Sequence, residues 1–434
     1  MRHWMTRRPA ILGGCLAACW LAAVPTAVRA QAPEPTAASG SNVSVADPSQ
    51  GTSSQGTTSA LDAFLAGTKF GLDLDGYYEY NADNPIGRVN LLRAYDVTSN
   101  SFSLNQVGIV IDHAPDVAHG RRAGIRLDLM YGQATDTLQG SAANEPRPQI
   151  YRNLFQVYGT YIFPLGKGLQ VDFGKFASAL GLEGNYTKDQ FNYSRSYFFN
   201  FLPFYHMGFR TSYSPNDRIT LTYWLVNGAQ QTEDFNGFKS QAAIITLAPV
   251  KTLSWNLNYY TGKEGRDLVP ALNPGLPSLP TQPGLSTTPV SNPSQARTDI
   301  FDTYATWSAT SRLTLAGEAD YYTVRSPIAP ALTLSGGAAY AQYRPRADLH
   351  LAVRTEYMND RDGLFSGVAQ RLHEVTGTVD WLPPNSRVMI IGEWRRDWSN
   401  EPFFLSGTVG VLDRAQSTLT LGMVWWIGNK TGTW

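Results

Sequence analysis

Cysteine is almost missing from this chain. Its 434 residues hold two, Cys15 and Cys19, both inside one N-terminal apolar stretch. If that stretch is removed as a leader, the mature chain has no disulfide, thiolate metal site or cysteine nucleophile. Net charge is also absent, with 35 Lys and Arg against 35 Asp and Glu, which removes any bulk electrostatic case for a nucleic-acid partner. No long apolar run follows residue 30, so the mature sequence offers no helical membrane span. Catalytic and cofactor signatures are missing too. There is no Gly-x-Ser-x-Gly elbow and no nucleotide-binding loop, and His113, His119, His206, His350 and His373 lack metal-ligand spacing. No catalytic residue, metal or cofactor is therefore expected.

The N-terminus reads as an export signal over 1–30. Arg2, Arg7 and Arg8 precede an uncharged apolar run from Ile11 to Val24, and Val28-Arg29-Ala30 supplies small residues for cleavage before Gln31. Two other readings are an uncleaved anchor and a lipoprotein, the latter because Leu16-Ala17-Ala18-Cys19 resembles a lipobox. Residues 31–60, rich in Ala, Pro, Ser, Thr and Gly, read as a disordered periplasmic linker before a barrel over 61–434.

What is abundant is alternation. Segments 102–112, 121–132, 218–227, 312–323, 348–358, 386–397 and 415–427 repeat with period two. In 348–358, Leu349, Leu351, Val353 and Tyr357 oppose His350, Arg354 and Glu356. Weaker alternation marks 70–80, 150–163, 168–177, 204–214, 239–248, 252–262, 298–309, 334–344 and 371–382. Compact turns such as 164–168 and 382–385 alternate with longer segments, including 82–100, 178–203 and 263–297. Lipid gives backbone amides no partner, so only helices and closed barrels cross it. The pattern predicts an all-β fold, a transmembrane antiparallel up-and-down β-barrel of about 16 strands (roughly 14–18). Short turns and both termini belong in the periplasm, and long loops outside. The 22 Tyr and 11 Trp suit bilayer interfaces.

Parity places Arg126, Asp128, Asp172, Arg210, Glu318, Asp320, Arg354, Glu356, Asp380, Glu393 and Arg395 toward the lumen. An Arg facing lipid near the midplane costs about 2–4 kcal/mol, and acids somewhat less. Mixed signs leave open whether these groups pair with one another or set up a field across a constriction. Loop 178–203 is unusually apolar, with Tyr197, Phe198, Phe199, Phe201 and Leu202 beside Lys188 and Arg195. Either it folds inward and narrows the pore, or its aromatics join the outer girdle.

Within 172–228, Gly174-Lys175-Phe176, Gly181, Asn192-Tyr193-Ser194-Arg195-Ser196, Pro203 through Arg210 and Asn227-Gly228 form one constellation. It resembles the OmpL-like β-barrel porin family, as does Asn100 through Gln106 upstream; Ala229 departs from the aromatic that often follows the Asn-Gly. The C-terminal Trp434 is similar to the signal read by outer-membrane assembly machinery. The resemblance implies a passive pore in the outer-membrane lipid of a Gram-negative-type bacterium, passing small hydrophilic solutes or ions. Lys175, Arg195, His206 and Arg210 are the pore-proximal candidates. Alternatives are a non-conducting structural or adhesion barrel, favoured by the proline-rich 263–297, and a hydrolase in which Ser194 meets His206.

Overall fold

The computed structural model describes residues 64–428 apart from 66, 140–144, 146, 235 and 266–295. The expected leader, the 31–60 linker, the centre of 263–297 and Trp434 lie outside the described residues. No helix among the described residues is long and apolar enough to cross a membrane.

Every expected strand is present. The first eight are β1 (Lys69–Asn81), β2 (Ser101–His113), β3 (Ala123–Tyr131), β4 (Leu154–Phe163), β5 (Leu169–Ala177), β6 (Tyr205–Asn216), β7 (Ile219–Val226) and β8 (Ser240–Val250). There follow β9 (Leu253–Lys263), β10 (Arg297–Ser308), β11 (Leu313–Arg325), β12 (Leu332–Arg346), β13 (Leu349–Asp360), β14 (Gln370–Trp381) and β15 (Val388–Ser399). A two-stranded ribbon, β16 (Phe404–Leu405) and β17 (Leu412–Asp413), interrupts the loop before β18 (Ala415–Gly428). Neighbours pair antiparallel, and β18 returns to β1 from Gly71 opposite Gly428 to Asn81 opposite Thr418. The ribbon is closed, so no row of amides is left at an edge.

Connections at the two ends differ. Two-residue links join β6 to β7, β8 to β9 and β12 to β13 at one end. The other end carries the long loops, with short helices α1 (Ala134–Leu138), α2 (Pro148–Tyr151) and α3 (Tyr197–Phe201). The strand expected from residue 150 begins only at Leu154. Pro148 opens α2 instead, because its fixed φ and missing amide suit a first helical turn.

Side chains sort by parity. On β13, Leu351, Val353 and Tyr357 point outward and Arg354 and Glu356 are buried. On β18, Leu419, Leu421, Trp425 and Ile427 are outward and exposed. Outward aromatics gather at both ends. Phe163, Trp255, Trp307, Tyr343, Trp381 and Trp425 lie near the short turns, and Tyr80, Phe102, Tyr131, Tyr321, Tyr357 and Trp398 lie nearer the loops. Two amphipathic rings bounding an aliphatic band match the two faces of a bilayer.

One register point explains part of the glycine motif. Gly174 on β5 sits directly opposite Gly208 on β6. Gly174 has φ +139°, and a Cβ there would lie 2.2 Å from the Val157 carbonyl oxygen. Only glycine lets β4 and β5 approach this closely.

Candidate functional site

The eleven inward charges are all at most 8% exposed, and the structure shows what each touches. Some pair within the wall. Arg126 Nε donates to Asp128 Oδ1 at 2.8 Å, Arg210 Nε to Asp172 Oδ2 at 2.7 Å, and Arg354 Nε to Glu374 Oε1 at 2.9 Å. Arg395 joins Asp397 at 2.8 Å. Other wall acids hold backbone rather than a cation, and that backbone belongs to loop 178–204.

This loop leaves β5, runs inside the barrel and returns to β6. Gly181 N–H donates to Asp302 on β10 at 2.8 Å, and Leu182 N–H to Glu318 on β11 at 3.2 Å. Glu356 on β13 accepts from the amides of Tyr197 at 2.8 Å and Phe198 at 3.1 Å. Glu393 on β15 accepts from those of Tyr193 at 2.6 Å and Ser194 at 2.9 Å. On β1, Asp75 accepts from the Thr187 hydroxyl at 2.7 Å and the Tyr193 phenol at 2.9 Å. The Tyr186 phenol reaches Asp128 on β3 at 3.1 Å. In ring order these anchors run from β10 round through β15 and β1 to β3, a circuit that only a segment lying within the lumen can make.

Helix α3 carries the loop's apolar side. Ser196 caps it, its Oγ accepting from Phe199 N–H at 3.0 Å. Tyr197, Phe198 and Leu202 are buried against Phe176, Trp224, Tyr260, Ile300, Leu334 and Met358, which point inward from strand ends near the loops. Each aromatic placed there instead of in water gains about 1.5–3 kcal/mol. The outer-girdle reading of these aromatics does not hold: Tyr197 and Phe198 are fully enclosed. Gly181 turns the chain at φ +88°, a left-handed conformation that glycine adopts without strain. Burial, and then the neighbouring carboxylates, push the phenols of Tyr193 and Tyr197 well above their usual range. Both therefore remain donors, to Asp75 and Asp397 respectively.

The four pore-proximal candidates divide. Arg210 lines a cavity of about 320 Å³ with Gln170, Ser212, Thr222 and Thr246. Its guanidinium also lies 4.7 Å from the Phe176 ring. Arg195 is fully buried, with Nε donating to the Gly184 carbonyl at 3.0 Å, Nη1 to that of Tyr193 at 2.6 Å and Nη2 to that of Asn185 at 3.0 Å. It shapes the loop from within. Lys175 is buried with its ammonium 3.8 Å from the Tyr205 ring. His206 is buried under Trp224 and Tyr260. Its Nε2 lies 3.2 Å from Ser178 Oγ and its Nδ1 3.0 Å from the Gly228 carbonyl. Ser194 does not join it; that residue bonds Arg354 through its carbonyl and hydroxyl. The nearer Ser178–His206 pair has a backbone carbonyl, not a carboxylate, on Nδ1, so the third group of a catalytic triad is lacking.

Several residues central to this arrangement escape the sequence reading. Asp75, Glu183, Asp302, Glu374 and Asp397 are all anchors or partners of anchors. Loop 82–100 adds Arg93, which bonds Asp397 at 2.7 Å, and Tyr95, whose ring lies 5.2 Å from the Arg195 guanidinium. Inward parity was the available signal for the strand acids. Arg93 and Glu183 lie in loops, where parity says nothing.

The comparisons agree with this geometry. The family model described as "Putative beta-barrel porin-2, OmpL-like" matches residues 67–425. No curated protein matches the chain. Among solved structures, the anion-selective porin from Comamonas acidovorans is similar at TM-score 0.51 and 10% identity, covering 83% of this chain and 99% of that one. The outer membrane channel DcaP of Acinetobacter baumannii aligns at TM-score 0.49 and 10% identity, over 83% of this chain and 96% of its own. OmpT, an outer membrane protein of Vibrio cholerae, aligns at 0.49 and 10%, over 83% and 97%. At 10% identity the first of these speaks for the fold alone. The family match spans most of the sequence and the whole strand circuit but its last residues, and by it the chain belongs to the OmpL-like β-barrel porins, proteins integral to the outer membrane.

Proposed function

We propose that the barrel is a passive diffusion pore for small hydrophilic solutes or ions, with loop 178–204 as its constriction and no catalytic role. The observation that carries this reading is the space the loop leaves. A second cavity, of about 370 Å³, adjoins the Arg210 cavity at Asn256 and Tyr304 and reaches Glu183 and Asp189 on the loop itself. The passage would thus follow the β4–β10 wall, where Ser212, Thr222, Thr246, Asn256 and Thr306 present hydroxyls and amides. Orientation follows the usual barrel rule, with the short turns and both termini in the periplasm.

Selectivity along this path would depend on Arg210 and on the acids at the loop. Lys175, Arg195 and His206 line neither cavity, so they would act by fixing the wall and the loop. In planar bilayers the refolded protein is expected to give discrete ohmic steps. Arg210→Gln leaves Asp172 its bonds from Thr160 and Gln170 but removes its cation, and should move the reversal potential in a KCl gradient toward cation preference. A folded barrel that never conducts would overturn the pore reading, and an unmoved potential would remove Arg210 from the path.

A further inference from the structure

Three carboxylates of the wall meet at one point with no cationic side chain among the described residues paired to them. Asp302 on β10 lies directly opposite Asp320 on β11, and Glu318 stands two residues before Asp320 on the same inward face. One oxygen from each can be chosen so that all three lie within 4.8 Å of one another. All three residues are buried, and among the described residues none forms an ion pair. Like charges directly opposite on paired strands repel, and buried charges are costly unless compensated. Arg126, Arg210, Arg354 and Arg395 pair with Asp128, Asp172, Glu374 and Asp397, and no such pair reaches these three.

A second observation comes from the next strand. Asn258 on β9 lies opposite Asp302, is 5% exposed, and donates its Nδ2 to Asp302 Oδ2 at 2.7 Å. Its own Oδ1 has no donor, and neither do Asp302 Oδ1 nor both carboxylate oxygens of Asp320. Four enclosed oxygens from three adjacent strands therefore lack a cation or a donor, Asp302 and Asp320 having only each other to share a proton with. They belong to Asn258, Asp302 and Asp320. Beside them Asp302 Oδ2 and Glu318 Oε1 take the loop amides of Gly181 and Leu182, Glu318 Oε2 accepts from the Tyr340 phenol at 3.4 Å, and Asn258 Nδ2 also donates to the Ala179 carbonyl at 3.2 Å.

We propose that Asp302, Glu318 and Asp320 form a binding site for a divalent cation that clips the constriction loop to the wall, with Asn258 turning its amide to present Oδ1 when the ion binds. The donors are carboxylate and amide oxygens, the set preferred by hard cations. Calcium takes oxygens at about 2.3–2.6 Å, so oxygens on opposite sides of the ion lie up to roughly 5 Å apart. The three oxygens lie within 4.8 Å of one another, inside that span. Magnesium sheds its waters reluctantly and is seldom held by an all-protein cage, so calcium is the ion expected at this enclosed site. Because the acids also hold the Gly181–Leu182 amides, an ion here would tie β9, β10 and β11 to the start of the loop.

The test is calcium binding by the refolded full-length barrel in detergent, freed of metal beforehand and titrated calorimetrically, with thermal unfolding followed in parallel. One calcium per chain is expected, with a higher unfolding temperature and weaker binding of magnesium. Asp320→Asn combined with Glu318→Gln should abolish both effects, while Asp380→Asn, an inward acid on β14, should keep them. Folding of each variant is checked by its heat-modifiable migration. No calcium binding by the unaltered protein would overturn the proposal, since the three acids must then share protons instead. Undiminished binding by the folded double variant would overturn it equally.

Discussion

Deleting residues 186–200 is expected to raise single-channel conductance severalfold and to move selectivity toward cations. The excised segment contains Thr187, Tyr193, Ser194, Tyr197 and Phe198, which between them occupy Asp75, Glu356 and Glu393. Without those donors the three acids face lumen water on an otherwise intact wall. Their charge then acts on passing ions, as rings of carboxylates do in cation channels. The barrel itself should persist, because the strand ladders from β1 to β18 owe nothing to the loop. Unchanged conductance in a folded deletion variant would mean that the loop does not limit the pore.

The second large effect is on stability. Arg354→Met should lower the unfolding free energy by about 3–5 kcal/mol, the range for removing one partner of a buried ion pair. Arg354 is fully buried and donates to Glu374 at 2.9 Å, to Glu183 at 2.8 Å and to the Ser194 carbonyl at 2.7 Å. It thus joins β13 and β14 to two separate points of the loop. Methionine matches much of its bulk but leaves Glu183 and Glu374 with less compensation. Arg354→Lys should rescue little, because an ammonium cannot make the planar fork. Urea unfolding in lipid vesicles measures this, and a wild-type midpoint for Arg354→Met would contradict the role given to that residue.

The barrel was legible because its cause is local. Outward Leu351, Val353 and Tyr357 alternate with inward Arg354 and Glu356 within one segment, and bilayer and lumen demand that difference at every step. Where the signal was weak, the structure supplies the reason. Near the loops the lumen is filled by α3, so inward positions such as Ile300, Leu334, Met358 and Leu372 are apolar too. On β10, Ile300 points in and Phe301 out, and two apolar neighbours erase the contrast on which parity depends. Asp302 was lost in that same stretch.

The site was only partly legible, because its bonds are long-range. The apolar 197–202 run correctly pointed to a segment that shuns water, but its sequence does not say which acids will take its amides. Glu183 meets Arg354 across 171 positions, and Thr187 meets Asp75 across 112. Arg195 illustrates the opposite error. A charged residue in a pore motif suggests contact with solute, yet its three nitrogens are used by carbonyls of its own loop. That pattern depends on the carbonyls of Gly184, Asn185 and Tyr193 converging on one guanidinium, which residue types do not announce.

The arrangement within the lumen can be tested by tethering. Asn192 Nδ2 lies 2.7 Å from Thr378 Oγ1, joining the loop to β14. The only native cysteines are Cys15 and Cys19, so Asn192→Cys with Thr378→Cys gives a clean pair for a short bifunctional thiol reagent in intact outer membranes. Tryptic peptides bearing positions 192 and 378 should be recovered linked, as should those of a control pair, Thr378→Cys with Glu393→Cys, which face each other in the wall. A linked control beside an unlinked test pair would place the loop outside the barrel and contradict the account.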